Sequence, residues 1–136
     1  MKNVLQLSVL FFCCALSNLC AGQHTFTTCS AAFLRNKMIV NEYTTKGKCS
    51  VATNATGKLT VNIVELSPGE SKVTTRLPFT VAIRDKNTKT LTMYSTQSCK
   101  QLPVQNVLSR CRKGDHIVLI TTDNQYALPH NEILVR

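Results

Sequence analysis

The sequence contains no tryptophan, only three tyrosines and few acidic residues. The tyrosines are well separated and no predicted strand carries a pair of aromatic side chains on which unpaired bases could stack, so nucleic acid is not an expected partner. Motifs that reveal a reaction by their spacing are missing too: there is no Gly-flanked serine, no H-E-x-x-H and no phosphate-binding loop. Seven Asp and Glu residues stand against 16 Lys and Arg, a net charge of +9, so we predict a basic binding protein and no enzyme.

Catalytic and metal-binding groups are equally hard to assemble. The titratable candidates are Asp115, His116, Asp123 and His130. Asp115 and His116 are neighbours, and neighbours on a strand face opposite sides of a sheet, so the aspartate cannot orient the histidine. The three histidines and the cysteines show no metal-ligand spacing, and there is no C-x-x-C pair. The sequence predicts neither a metal nor a cofactor.

The first 22 residues have the composition of a secretory signal peptide. Lys2 is followed by an apolar run and then by small residues from Cys20 to Gly22, where a peptidase could cut after either of the last two. A lipidated Cys20 is disfavoured because Leu19 stands where a small residue is needed. The run is too short to span a bilayer and no later run is long enough, so stable membrane insertion is not expected. We predict a secreted single domain over residues 23–136.

Removal of the signal would leave four of the seven cysteines: Cys29, Cys49, Cys99 and Cys111. An even number in an exported chain predicts two disulfides, in any of three pairings. Such bonds contribute roughly 2 to 5 kcal/mol each, a large share for one small domain. The loss of Lys2 leaves 15 basic against 7 acidic residues, a net charge of +8, which favours acidic extracellular partners.

Alternation of apolar and polar residues indicates β-strands. Leu59, Val61 and Ile63 alternate within residues 58–66, and Val64 breaks the alternation, which predicts a bulge or burial on both faces. A Pro-Gly turn follows, and the clearest hairpin is joined by the turn formers 85–88. The other strand candidates are residues 37–43, 116–122, 49–53 and 132–135.

Helical periodicity is weak. Residues 30–38 and 103–111 are the best windows, and either could hold a short helix. Many short strands separated by turns predict an all-β fold, and we expect a small disulfide-stapled barrel with room for one short helix. An immunoglobulin-like sandwich is the alternative, although its Cys-Trp-Cys signature is absent because there is no tryptophan.

Four segments in order, CSAAFLRNKMIV, KLTVNIVEL, QSCKQL and KGDHIVLITT, resemble the netrin-like module. This module is the OB-type barrel of tissue inhibitors of metalloproteases and of C-terminal domains in some complement and matrix proteins. The resemblance implies that Cys29 pairs with Cys99 and Cys49 with Cys111. Those inhibitors bind the protease zinc through an N-terminal Cys-x-Cys and tend to carry six cysteines. Here the mature chain would start near Gln23 and keep four, so the inhibitory mechanism is not implied.

A basic cluster, Arg110, Arg112 and Lys113, is the best candidate for binding. It surrounds Cys111, and a disulfide there would fix the backbone and lower the entropy lost on gripping an anion. The alternative is that Gly114 and Asp115 form an ordinary turn beside solvated charges. The tripeptide Lys-Gly-Asp within this stretch also resembles an integrin-binding motif of secreted disintegrins.

Two further basic groups would extend the cluster if the fold brought them beside it. They are Lys46 with Lys48, and Arg84 with Lys86 and Lys89. We predict a secreted protein that binds an extracellular partner, an acidic protein or a sulfated glycan. The alternatives are a cationic host-defence or effector protein acting on anionic surfaces, and a netrin-like relative of protease inhibitors. Asn54 begins an Asn-Ala-Thr glycosylation acceptor in a predicted surface loop.

Overall fold

The computed structural model describes residues 27–39, 48–123, 125–126 and 128–136. This part of the chain is mostly β-structure, which confirms the predicted all-β class. Its elements are β1 Thr28–Leu34, β2 Lys37–Met38, β3 Cys49–Val51, β4 Lys58–Ser67, β5 Glu70–Leu77, β6 Phe79–Arg84, β7 Leu91–Met93, β8 Leu102–Pro103, α1 Val104–Leu108, β9 His116–Thr121 and β10 Glu132–Val135. The predicted signal peptide, Lys46 and most of the strand predicted at 37–43 lie outside the described residues.

The strands form two five-stranded sheets. The first has the order β2-β1-β4-β5, with β8 pairing the start of β4, and the second has the order β3-β10-β9-β6-β7. Every pair is antiparallel except β10 with β3, which is parallel. One of the passages from the first sheet to the second is at Pro78, which separates β5 from β6. Proline has no N–H for a sheet ladder, so a break between sheets is a natural place for it.

The predicted Pro-Gly turn and the predicted β6–β7 hairpin are present, and β5, which pairs with β4, is a strand that the sequence did not predict. β4 turns into β5 at Pro68-Gly69, where Gly69 has a φ of 84° that glycine adopts without strain. The register between these strands shifts between Asn62 and Val64, and every residue from 59 to 64 is buried. The predicted break at Val64 is therefore both a bulge and a site of burial on both faces. β6 and β7 pair as the second hairpin.

One main core lies between the two sheets. It contains the apolar side chains of β4 and β6 together with those of β9, β10 and helix α1; the largest fully buried members are Phe79, Leu59, Ile117, Leu119 and Ile133. Burial of each such side chain contributes roughly 1.5 to 3 kcal/mol. A smaller cluster, centred on Ala31, Phe33 and Val64, packs on the opposite face of the first sheet.

Of the two helical windows, one is confirmed and one is wrong. Helix α1 occupies Val104–Leu108, within the predicted window, and begins after Pro103. Residues 30–38 are not helical, because Thr28–Leu34 pair with β4 along their whole length. Their apolar side chains serve both clusters: Ala32 packs into the main core, whereas Ala31 and Phe33 pack into the smaller one.

Candidate functional site

The fold brings the basic segment 110–113 beside the turn that joins β6 to β7. The link is Asp115, which is only 4% exposed. One carboxylate oxygen accepts the backbone N–H of Lys86 at 3.0 Å, and the other accepts that of Arg112 at 2.6 Å. Hydrogen bonds to a charged acceptor contribute about 1.5 to 3 kcal/mol each, so this carboxylate holds the two segments together.

Gly114 allows the two segments to approach closely. It has a φ of 97°, and a Cβ built on it would lie 2.8 Å from the Cδ of Lys86. The aliphatic stem of Lys86 therefore crosses the backbone of the basic segment. On the other side, the Gly114 N–H donates to the Val135 carbonyl at 2.8 Å and the Val135 N–H donates to the Asp115 carbonyl at 2.9 Å. These bonds fasten the segment to β10.

The β6–β7 turn is organised by its own aspartate. The Asp85 carboxylate accepts the N–H of Asn87 at 2.7 Å and that of Thr88 at 2.8 Å. The bond from Thr88 and then that from Asn87 lower the pKa of Asp85. Lys89 adopts a φ of 61°, and its ammonium donates to the Lys86 carbonyl at 2.8 Å. The turn therefore holds its two lysines in a defined conformation.

Arg110 is fixed by an aromatic ring. Its guanidinium carbon lies 4.8 Å from the centroid of the Tyr94 ring, within cation–π distance. Arg110 and Arg112 line a shallow cavity of about 300 Å³ whose apolar wall includes Ile83, Met93 and Tyr94.

We name the exposed cations on these two segments the basic face; its members are Lys86, Lys89, Arg110, Arg112 and Lys113. All three residues predicted from the cluster belong to it, together with two from the 84–89 group. Arg84 does not, because its guanidinium pairs with Glu132 at 2.9 Å on the outer side of the second sheet. Lys48 lies exposed before β3, and Lys46 is outside the described residues.

Asp115, Tyr94 and Gly114 complete the site, and the sequence did not reveal their roles. An aspartate next to a glycine suggests side-chain bonding within its own turn. Its second partner, Lys86, is 29 residues away and carries no sequence signal. Because Asp115 is buried and both oxygens are occupied, its carboxylate is not exposed as the integrin-like Lys-Gly-Asp reading would require.

The described cysteines divide between the two apolar clusters. Cys49, Cys99 and Cys111 are thiols that pack in or against the main core, and Cys29 packs against the smaller cluster. Burial raises the pKa of Cys49 and of Cys99. Burial, with the nearby charge of Asp115, raises the pKa of Cys111 to about 11. Thiols with raised pKa values are poor nucleophiles, so these side chains act here as core residues.

The raised pKa of Cys111 predicts a pH dependence in the reduced protein. The unfolded thiol ionises near its ordinary value of 9.0, whereas the folded thiol stays neutral to about 11. The stability from this group is complete below the unfolded pKa and is lost as the pH rises through this window. Urea unfolding at pH about 8 and about 10.5 should show the advantage of the wild type over Cys111→Ala shrinking as the pH rises. A constant difference would contradict the assignment.

No helix among the described residues is long and apolar enough to cross a membrane. In the same part of the chain, no three His, Cys, Asp or Glu side chains are grouped as metal ligands. In comparisons with known proteins, no family model, no curated protein and no solved structure matches this chain. Function must therefore be inferred from the geometry of the basic face.

Proposed function

We propose that this chain is a secreted basic protein that binds a sulfated glycan through the basic face. The observation that carries the proposal is the double hydrogen bond of Asp115, which holds Lys86 and Arg112 on adjacent segments. Asp115 and Asp85, the two carboxylates nearest the cations, both accept backbone N–H groups. Five exposed cations thus lie near two carboxylates, and each carboxylate already accepts two backbone N–H groups.

A polyanion suits this arrangement better than a single anion. Exposed ionic contacts are worth only about 0.2 to 1 kcal/mol each, so useful affinity needs several of them at once. The guanidinium groups of Arg110 and Arg112 can each meet a sulfate with two N–H groups. Their segment is fastened to β10 and to the β6–β7 turn, which lowers the entropy lost on binding. A closely sulfated glycan offers the matching row of anions.

A variant with alanine at Arg110, Arg112 and Lys113 tests the proposal directly. Affinity for heparin should fall about tenfold, because three contacts of about 0.5 kcal/mol sum to about 1.5 kcal/mol. Isothermal titration with heparin, supported by the salt at which each protein leaves a heparin column, measures the change. The three side chains are exposed, so thermal unfolding should stay near that of the wild type.

The matched control is alanine at Lys37, Lys58 and Lys72, three exposed lysines on the first sheet. It removes the same charge and should affect heparin binding much less. Equal losses in the two triple variants would mean that net charge alone retains the protein, and the basic face would be abandoned as a site. Dye leakage from anionic vesicles would instead favour a membrane-active effector.

The proposal also includes export, with residues 1–22 as signal peptide and 23–136 as the secreted domain. Two disulfides among the four remaining cysteines are part of it, although the structure has Cys49, Cys99 and Cys111 as thiols. Peptide mass mapping of the secreted protein tests this. Pairs Cys29–Cys99 and Cys49–Cys111 would support the netrin-like barrel, and Cys29–Cys49 with Cys99–Cys111 would exclude it.

Glycosylation of Asn54 belongs to the same proposal. Asn54 lies exposed in the turn that follows β3, where an enzyme can reach it. Arg35 holds the neighbouring Thr56, donating from its Nε to the Thr56 carbonyl at 2.8 Å. Secretion of Asn54→Gln from a eukaryotic host, with and without glycosidase treatment of the wild type, tests whether the sugar is attached.

A further inference from the structure

Strand β7 (Leu91–Met93) forms one edge of the second sheet. It pairs with β6 on one side, and no other strand among the described residues pairs with it on the other. A sheet edge presents backbone N–H and C=O groups to any chain that can align with it.

The register shows which groups of β7 point outward. Tyr94 N–H donates to the Val81 carbonyl at 2.8 Å, and Asp85 N–H donates to the Thr90 carbonyl at 3.0 Å. Hydrogen-bonded pairs alternate along an antiparallel ladder, so Thr92, between Thr90 and Tyr94, also bonds to β6. The N–H and C=O groups of Leu91 and Met93 consequently point away from β6.

The side chains of these same two residues are exposed. Leu91 is 45% exposed and Met93 is 44% exposed, an unusual state for large apolar residues on adjacent positions of one sheet face. Met93 lies opposite Ala82, and Ala82 lies opposite Val118, both buried small apolar residues. An added strand could bond to the edge and pack apolar side chains against the exposed Leu91 and Met93, whereas Ala82 and Val118 are buried beneath the surface.

The positive charges around β7 determine which kind of chain can bind to its edge. Lys86 and Lys89 lie in the turn at one end of β7, with Arg112 beside them, and Arg110 lies over the ring of Tyr94 at the other end. A second copy of this chain would bring the same cations against these and be repelled. An extended segment with acidic side chains would be attracted at both ends.

We propose that β7 binds an extended acidic segment of a partner protein by strand addition, using the outward groups of Leu91 and Met93. This site goes beyond glycan binding: it uses a backbone edge and apolar contacts in addition to the cations, whereas the glycan uses only the cations. The two sites adjoin, and each can be tested without the other.

The probe is an end-capped peptide of alternating valine and glutamate. Its binding should slow the amide exchange of Leu91 and Met93 and leave that of Thr92 nearly unchanged, because the Thr92 N–H is already bonded to β6. Amide exchange measured by NMR at each residue shows whether protection alternates between Leu91, Thr92 and Met93 in this way. Attraction between charges alone would not produce it, and uniform or absent protection across the three residues would overturn the proposal.

Met93→Pro tests the edge by mutation. Its N–H faces outward, so proline should remove the donor and obstruct the incoming strand while leaving the β6 pairing in place. Peptide affinity, measured by fluorescence anisotropy, should fall about fivefold or more. The control Met93→Thr keeps the donor and a strand-forming side chain, and should retain more affinity than the proline variant. Unchanged thermal unfolding establishes that both variants are folded.

The remaining outcomes are also decisive. Equal binding of a valine–lysine peptide would overturn the acidic partner, and a β7-dependent dimer seen by sedimentation would replace it with a second copy. If Met93→Pro loses the peptide but keeps heparin, the edge and the basic face are separate sites. If heparin binding is absent throughout while the peptide still binds, only the proposed glycan function fails.

Discussion

Replacing Asp115 with asparagine should weaken heparin binding several-fold, although the change raises the net charge by one. The carboxylate contacts no partner in the proposed complex. It holds the β6–β7 turn against the basic segment through the N–H groups of Lys86 and Arg112. An asparagine offers one oxygen and one NH₂ group, so one of the two N–H groups would face another donor.

The same substitution should lower the free energy of unfolding. Leaving one buried N–H without an acceptor costs about 1 to 3 kcal/mol, and more where the lost acceptor was charged. Urea unfolding measures this cost, and heparin titration under conditions where the variant is fully folded measures the binding. The two losses have one cause, the separation of Lys86 from Arg112.

Asp123→Asn is the matched control. It makes the same chemical change and adds the same charge, but among the described residues the Asp123 carboxylate accepts only the N–H of Gln125, within its own loop. Asp123 also lines a second cavity, with Cys29 and Thr121, which shares no residue with the cavity of Arg110 and Arg112. If charge alone determines binding, both variants should bind heparin more tightly than the wild type. Tighter heparin binding by Asp115→Asn would show that the hydrogen bonds from Lys86 and Arg112 to Asp115 do not organise the site.

Strand β4 and the β6–β7 hairpin could be predicted because their signals are local. The alternation from Leu59 to Ile63 specifies β4 and the Pro-Gly pair specifies the turn after it, whereas β5, exposed up to Leu77, carries no such alternation and is not predicted. The turn formers after Arg84 specify β6–β7 in the same way. By contrast, the parallel pairing of β3 with β10 joins Cys49 to Ile133, and nothing near either residue indicates it.

The error at residues 30–38 has the same origin. Ser30, Ala31 and Ala32 carry no strong strand preference, and the apolar residues fit a helical stripe as well as a strand. The pairing with β4 and burial against two clusters determine the strand, and both arise from distant parts of the chain. Tertiary contacts override weak local preference.

The basic face likewise has one part that the sequence predicts and one part that only long-range contacts determine. The cluster of Arg110, Arg112 and Lys113 is contiguous and could be read from the sequence. The arrival of Lys86 beside it depends on Asp115, a contact across 29 residues. The OB-type barrel of the resemblance stays a prediction, since disulfide pairing is what it implies most specifically.

The largest effect on stability is expected for Phe79→Ala. Phe79 is fully buried at the point where the chain enters the second sheet after Pro78. It lies opposite Thr121 on β9, and its backbone exchanges hydrogen bonds with Cys99. Truncating such a side chain costs about 3 to 5 kcal/mol, because apolar burial is lost and a cavity remains. Val73→Ala, at an exposed position of β5, should cost less than about 0.5 kcal/mol.

Phe79→Ala also tests whether the two sheets share one core. Side chains of both sheets, including Val61 and Leu119, pack with Phe79 in a single cluster. If they unfold together, the exchange of protected amides in β1 and in β9 should quicken by the same factor, about a hundredfold or more for 3 kcal/mol. Phe79→Leu, with a smaller cavity, should give the same parallel loss at lower magnitude. Faster exchange confined to β9 would mean that the first sheet is stable without the second, and the shared core would then be wrong.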